Sequence, residues 1–264
     1  MSPSPDTGRA GAERRVVVVG VGSGHPDQLT LGAMRALQDA DVLFLLDKGD
    51  GDPLAAARSQ LLDRALDGRR PPRVEHRRLP AVRGRSKLDG VEYRAVQQAW
   101  RADRARVYRE LVAALAPGET GAFLAWGDPA LFDGTLAMLD EVADEVAVTV
   151  EVVPGVSSVA ALAAAHGVAL HAVGEAVVVT TGRRLRDDGW PPGAASVVVM
   201  VDAHDTLDAL DDDLRVWWGA LVGLPGQRLV AGRLGDCRAT IHAARAEVRA
   251  EKGWLFDTYL LRRP

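Results

Sequence analysis

The feature that most constrains the fold is a unit that recurs along the chain as far as residue 166: a short β-rich apolar run, a turn of Gly, Pro, Ser and Asp, then a helix-like segment. Arg15–Val19 reads as a first strand, closed by Gly20-Val21-Gly22-Ser23-Gly24-His25-Pro26-Asp27. Leu29, Ala33, Ala36, Leu37 and Ala40 then share one helical face, with Pro26 and Asp27 suited to the helix entry. Asp41–Leu46 is a second strand, followed by a helix over Leu54–Leu66 and a short strand over Arg73–Arg78. A polar, Arg-rich loop over Pro80–Asp89 precedes one long helix, Val91–Leu115. The unit returns with Gly121–Trp126, its Gly127-Asp128-Pro129 turn and a helix through Leu139. It returns again with Val146–Val153, the Pro154-Gly155-Val156-Ser157-Ser158 turn and a helix through His166. This alternation predicts a parallel sheet covered by helices.

After about Gly174 the pattern changes. Five strand candidates follow (Ala176–Thr181, Ser196–Val201, Leu214–Val222, Arg228–Leu234 and Trp254–Leu261), with one helix at Arg238–Glu251 between the last two. The expected organisation is α/β with two α/β domains. A disordered tail spans 1–13, an N-terminal domain with a mostly parallel sheet spans 14–170, and a C-terminal domain with a mixed α+β sheet spans 171–264. A cleft between two such domains is the expected place for a substrate.

Composition bounds the function. Apolar residues make up 47% and charged residues 26% of the 264, which describes a folded globular chain. The net charge of −4 argues against a nucleic-acid partner, whose phosphates need clustered excess cations. Of the 32 basic residues only Lys48, Lys87 and Lys252 are lysines, leaving 29 arginines, so no single arginine marks a site by its presence. Cys237 is the only cysteine, which rules out an intrachain disulfide and a thiolate zinc cluster. Apolar runs such as Val16–Val19 and Val197–Val201 fall far short of the ~20 residues of a membrane span. Residues 1–13 lack the apolar stretch of a signal peptide, and the cytoplasm is the expected compartment.

The motifs exclude several chemistries. A G-x-G-x-x-G fingerprint fails in both registers of the first loop, at His25 and at Asp27, and no G-x-x-x-x-G-K-[ST] phosphate loop occurs. No histidine pair has metal-ligand spacing, H-E-x-x-H is absent, and so is G-x-S-x-G; no metal is expected, and His166 and His171 read as structural. What remains is three glycine-bearing turns at the carboxyl ends of buried strands, where α/β sheets bind ligands and where glycine permits close backbone approach. Ser157 and Ser158 there are either ligand donors or helix caps. The pair Trp217-Trp218 reads as core.

These three turns, GVGSGHPDQLT from Gly20, AWGDP at 125–129 and PGVSS at 154–158, resemble in order and spacing those of the tetrapyrrole (corrin/porphyrin) methyltransferases, over nearly the whole chain from about residue 15. Ser23 and His25 depart from the family pattern, which often has Pro and Asp there. Longer segments (Leu46–Gly49, Ala125–Asp133, Thr180–Leu185 and Asp257–Pro264) are similar to those of a branch that couples ring-carbon methylation to loss of an acetyl group.

The resemblance implies the tetrapyrrole methylase fold, S-adenosylmethionine (SAM) as cofactor, a carboxylate-rich tetrapyrrole as substrate and a homodimer. It implies cofactor contacts at Ser23, Trp126, Gly127, Asp128, Leu131, Ser157, Ser158, Met200, Ala220 and Thr258. Asp47, at the end of the second strand, is the candidate base, with a turn cap as the alternative. Arg83, Arg85, Arg183 and Arg184 are candidates for the substrate carboxylates. Methyl transfer from a sulfonium needs alignment and water exclusion rather than a metal or covalent residue. Methylation at another ring position and a non-catalytic SAM or tetrapyrrole carrier are the alternatives.

Overall fold

The computed structural model describes residues 13–47, 54–80, 90–202 and 205–264. The expected tail, the Lys48-Gly49 pair beside Asp47, and Arg83 and Arg85 lie outside the described residues, apart from Glu13. The chain divides into two compact units: Met1–Val21 with Leu29–Gly155, and Gly22–Gln28 with Val156–Pro264. The division after Gly155 precedes the 170/171 boundary expected from strand patterning, because the helix Ser158–His166 packs on strands of the second unit.

In the first unit, β1 (Arg14–Gly20), β2 (Val42–Asp47), β3 (Arg73–Arg78), β4 (Thr120–Ala125) and β5 (Val148–Val153) form a wholly parallel sheet in the order β3-β2-β4-β1-β5. Helices α1 (Leu31–Asp39) and α2 (Ala55–Leu66) cover one face, where Leu37 and Leu61 meet Val17, Val19 and Leu43. Helices α3 (Gly90–Ala113) and α4 (Thr135–Ala143) cover the other, where Tyr108, Leu111 and Leu139 meet Val16, Val18 and Phe123. Burial on both faces explains why β1 and β2 read as unbroken apolar runs. Pro26–Gln28 forms a separate 3-10 turn, so α1 begins two residues after Leu29. Its cap is Thr30, whose hydroxyl accepts from Ala33 N at 3.0 Å.

In the second unit, β6 (Ala176–Thr181), β7 (Ala194–Met200), β8 (Arg215–Ala220), β9 (Arg228–Arg233) and β10 (Asp257–Arg262) form a mixed sheet ordered β6-β7-β10-β8-β9. Only β6 and β7 run parallel. Helix α5 (Ser158–His166) places Leu162 against the backbone of Gly219 on one face. Helix α7 (Leu234–Lys252) buries Leu234, Cys237, Ile241, Ala244 and Val248 on the other, and begins four residues before the helix expected from sequence. A further helix, α6 (Gly182–Asp188), was not expected: GRRLRDD has a single large apolar residue and so no stripe to reveal it. Trp218 is wholly buried in the α7-side core, and Trp217 lies beneath the guanidinium groups of Arg215 and Arg262.

Candidate functional site

In the first unit the carboxyl ends of β1, β4 and β5 converge. A Cβ on Gly20 would sit 2.5 Å from Gly155 N and 2.9 Å from Pro129 Cδ, and one on Gly155 would collide with Gly127 O. These glycines are therefore required by the packing of the three turns on one another, whatever ligand they approach. Asp128 joins the same junction. Its Oδ2 accepts from Gly155 N at 2.9 Å and its Oδ1 from Ala130 N at 2.9 Å. The Asp128 carboxylate, part of the turn read from sequence as a cofactor contact, thus accepts from two backbone donors. Trp126 is half-buried against the α1/α2-side core, and Leu131 is half-buried before Phe132, which takes φ 53°.

Asp47 ends β2 half-buried, its carbonyl accepting from Leu79 N at 2.8 Å and its register partner being Arg78 of β3. Residues paired across parallel strands project to the same face, so a carboxylate and a guanidinium leave the strand ends together.

The second unit brings another group together. Thr258 of β10 pairs in register with Met200 of β7, and its hydroxyl donates to Ser158 Oγ at 3.4 Å. Ser157, a proposed ligand donor, is the cap of α5, its Oγ accepting from Ala160 N at 3.2 Å. Ala220, read from sequence as a cofactor contact, is fully buried with its methyl in the α7-side core. Ser23 is also buried; its N and Oγ both donate to Gln28 Oε1, at 2.9 and 2.7 Å. Arg183 and Arg184 are exposed on α6, where Arg184 pairs with Asp188 one turn on at 3.0 Å. His166 meets the Trp218 carbonyl at 3.0 Å. Among the described residues no His, Cys, Asp or Glu group could hold a metal ion, and no helix is long and apolar enough to cross a membrane.

Two features escaped the sequence reading. Among the described residues four non-glycine residues adopt left-handed backbone, Phe132, Val201, Asp205 and Leu221, and three of them directly follow Leu131, Met200 and Ala220. Such conformations cost roughly 1–3 kcal/mol each and gather at functional sites. Dihedral strain leaves no trace in residue type, least of all at a valine.

The second is a buried ion cluster. Arg245, 1% exposed, donates through Nε to Asp257 at 2.8 Å, through Nη2 to Asp202 at 3.1 Å and through Nη1 to Asp205 at 2.7 Å. Trp218 Nε1 donates to Asp257 at 2.8 Å, while Tyr259 and Thr206 hydroxyls donate to Asp202 at 2.9 and 2.8 Å. Burial pushes the Asp257 carboxyl up against the opposing pull of Arg245; burial and the Asp202 carboxylate raise the Tyr259 hydroxyl. A signal existed: Arg245 falls in the Leu234, Cys237, Ile241, Ala244, Val248 stripe, where a cation requires buried partners.

In the second unit the Ser158 and Thr258 hydroxyls stand at strand ends beside Met200. In the first unit the turns after β1, β4 and β5 bring glycine backbone together, with Leu131 nearby in sequence.

The model of the tetrapyrrole (corrin/porphyrin) methylases matches residues 15–237. The chain is 36% identical over 255 residues to a precorrin-6A synthase [deacetylating] of Sinorhizobium sp, covering 95% of each. It also resembles the crystal structure of a cobalamin-synthesis-related protein, CobF, of Corynebacterium diphtheriae. There the identity is 30% and the TM-score 0.78, over 96% of this chain and 99% of that one. A uroporphyrin-III C-methyltransferase of Thermus thermophilus, complexed with S-adenosyl homocysteine, shares the fold at 22% identity and TM-score 0.56, over 94% and 97% of the two chains. With the family model spanning both units and a relative this similar along nearly its full length, the chain belongs to the tetrapyrrole (corrin/porphyrin) methylases.

Proposed function

We propose that this protein is a SAM-dependent C-methyltransferase with precorrin-6A synthase (deacetylating) activity, methylating precorrin-5 at C1 and releasing acetate. The observation that carries the reading is the 36% identity to a deacetylating synthase over 95% of both chains, far beyond the turns common to the family. When bound, SAM supplies an electrophilic methyl group to a ring carbon, and the C–S bonding pair stays with sulfur. The chain's task is alignment, and the Ser158 and Thr258 hydroxyls with Met200 are proposed as contacts in the second unit, the Trp126, Gly127, Asp128 and Leu131 turn as contacts in the first.

Loss of the acetyl group needs water added to its carbonyl; the C–C bond then breaks, its pair returns to the macrocycle, and acetic acid departs. Asp47 is the proposed base for that water. Arg183 and Arg184, exposed on α6, are proposed to meet substrate carboxylates, an ion pair to Asp188 being exchangeable at the surface. The working form is a homodimer in the cytoplasm.

The test is mass spectrometry of the product from precorrin-5 and SAM. The expected product carries one added methyl and lacks the acetyl group, with acetate and S-adenosylhomocysteine formed in equal amounts. A methylated product that retains the acetyl group would assign another ring position, and binding without S-adenosylhomocysteine would make the protein a carrier. In Asp47→Asn the rate should fall by ~10²–10⁴ with SAM affinity within a few-fold; near-parental acetate release removes Asp47 from the chemistry.

A further inference from the structure

The buried cluster around Arg245 is too elaborate for a stability device. Removing two or three charges from water costs several kcal/mol per ion, and well-packed apolar side chains often serve stability as well or better. What such a cluster supplies is a single geometry, and here the backbone it holds is particular. Asp202 lies two residues beyond Met200, across the left-handed Val201 at φ 59°. Asp257 lies immediately before Thr258, the register partner of Met200. One guanidinium thus binds the residues flanking both members of the Met200–Thr258 pair, Asp202 at 3.1 Å and Asp257 at 2.8 Å.

The second carboxylate oxygen of Asp202 is held by Thr206, whose hydroxyl donates at 2.8 Å. Gly182 at the end of β6 leaves room for the arrangement: a Cβ there would stand 2.7 Å from both Asp202 Cγ and Thr206 Oγ1.

We infer that Asp202, Arg245 and Asp257 are positioning residues for the cofactor, holding Met200 and Thr258 at the separation and orientation that the nucleoside of SAM requires. The inference rests on the cofactor reading given under Proposed function. The exposed Val201, strained and β-branched, is the mark of a backbone path imposed by the cluster rather than chosen by the residue. The cluster touches no reacting atom, so its loss should weaken binding of donor and transition state alike and leave the chemical step intact.

The experiment compares Arg245→Lys with Val248→Ala, which removes buried volume from the same helix face without touching the cluster. Lysine keeps the charge but cannot bridge two aspartates in fixed directions. S-adenosylhomocysteine affinity is measured by calorimetry at a temperature where each variant is fully folded, alongside kcat and the KM for SAM. Arg245→Lys should weaken affinity about tenfold and raise KM in parallel, with kcat at saturating SAM within about twofold. Val248→Ala should lose thermal stability yet keep its affinity. Tyr259→Phe, which deletes only the hydroxyl bonded to Asp202, carries the same test with a smaller expected loss should Arg245→Lys not fold. Unchanged affinity in the folded cluster variants, or an equal loss in Val248→Ala, overturns the inference. Absence of S-adenosylhomocysteine binding by the parent protein overturns the cofactor reading itself, a separate and recognisable result.

Discussion

Asp128→Ala separates a structural carboxylate from a ligand-binding one. The Asp128 side chain ties two turns together, accepting from Gly155 N across the junction and from Ala130 N within its own turn, each at 2.9 Å. Ala130 is exposed, so water replaces that partner and the loss there is close to that of a helix cap, about 1 kcal/mol. Gly155 N is half-buried and its acceptor is charged, which puts its loss near the 1.5–3 kcal/mol typical of hydrogen bonds to ionised groups. The two together predict destabilisation of about 2–4 kcal/mol for Asp128→Ala, and less for Asp128→Asn, which retains one acceptor oxygen. Urea denaturation followed by far-UV circular dichroism measures this directly. Calorimetric titration of the folded variant with S-adenosylhomocysteine should show affinity within a few-fold of the parent. An unchanged urea midpoint would refute the clamp; a collapse of affinity in a stable, folded variant would return the carboxylate to the ligand.

Three further outcomes follow from the geometry. Glu119 is held below its usual value of 4.5, chiefly by the Ala116 N–H and then by Arg73, so its contribution to stability is present above that pH and disappears as pH falls through its lowered native value. Glu119→Gln should therefore flatten the acid limb of a urea-midpoint-versus-pH curve below about pH 4.5; an unaltered limb contradicts the assignment. The Cys237 thiol is pushed up by burial and then by Asp236, so at pH 8 it should react with a thiol reagent far more slowly in the native protein than in urea, equal rates meaning it is accessible. Gly155→Ala drives a Cβ into Gly127 O and the Gly20 backbone, and should destabilise by more than about 3 kcal/mol; a variant with parental stability would show that the turns can separate freely.

Much of the first unit was readable in advance because its inner strands β1, β2 and β4 are buried on both faces. Continuous apolar runs such as Val16–Val19 have no alternation to confuse register, and each is punctuated by Gly, Pro or Asp where the chain leaves the sheet. The second unit was harder for a physical reason. Its helix α6 is held by position at the end of β6, with Thr181 as its cap, rather than by an apolar face, so periodicity has nothing to detect. The helix entry after Gln28 misled in a similar way: Asp27 has the chemistry of a cap, but the 3-10 turn at Pro26–Gln28 moves that role to Thr30.

The candidate site was legible in residue identity more than in residue role. The segments carrying the family resemblance include Asp128, Gly182, Asp257 and Tyr259, and within each unit these are residues whose replacement leaves a steric clash or a severed hydrogen bond. Asp128 and Ser157 look like ligand contacts in a sequence because both are polar and stand at strand ends, yet each satisfies backbone N–H groups first. Conversely, the charges around Arg245 are spread over some fifty residues of chain, from Asp202 to Asp257, and no local spacing links them. Only the antiparallel pairing of β7 with β10, and α7 packed beneath, brings them to one guanidinium. A ligand site of this type is thus built in two tiers. On the inference drawn above, neutral side chains at strand ends are the ones proposed to meet the ligand, while ionised groups one or two residues away hydrogen-bond inside the protein.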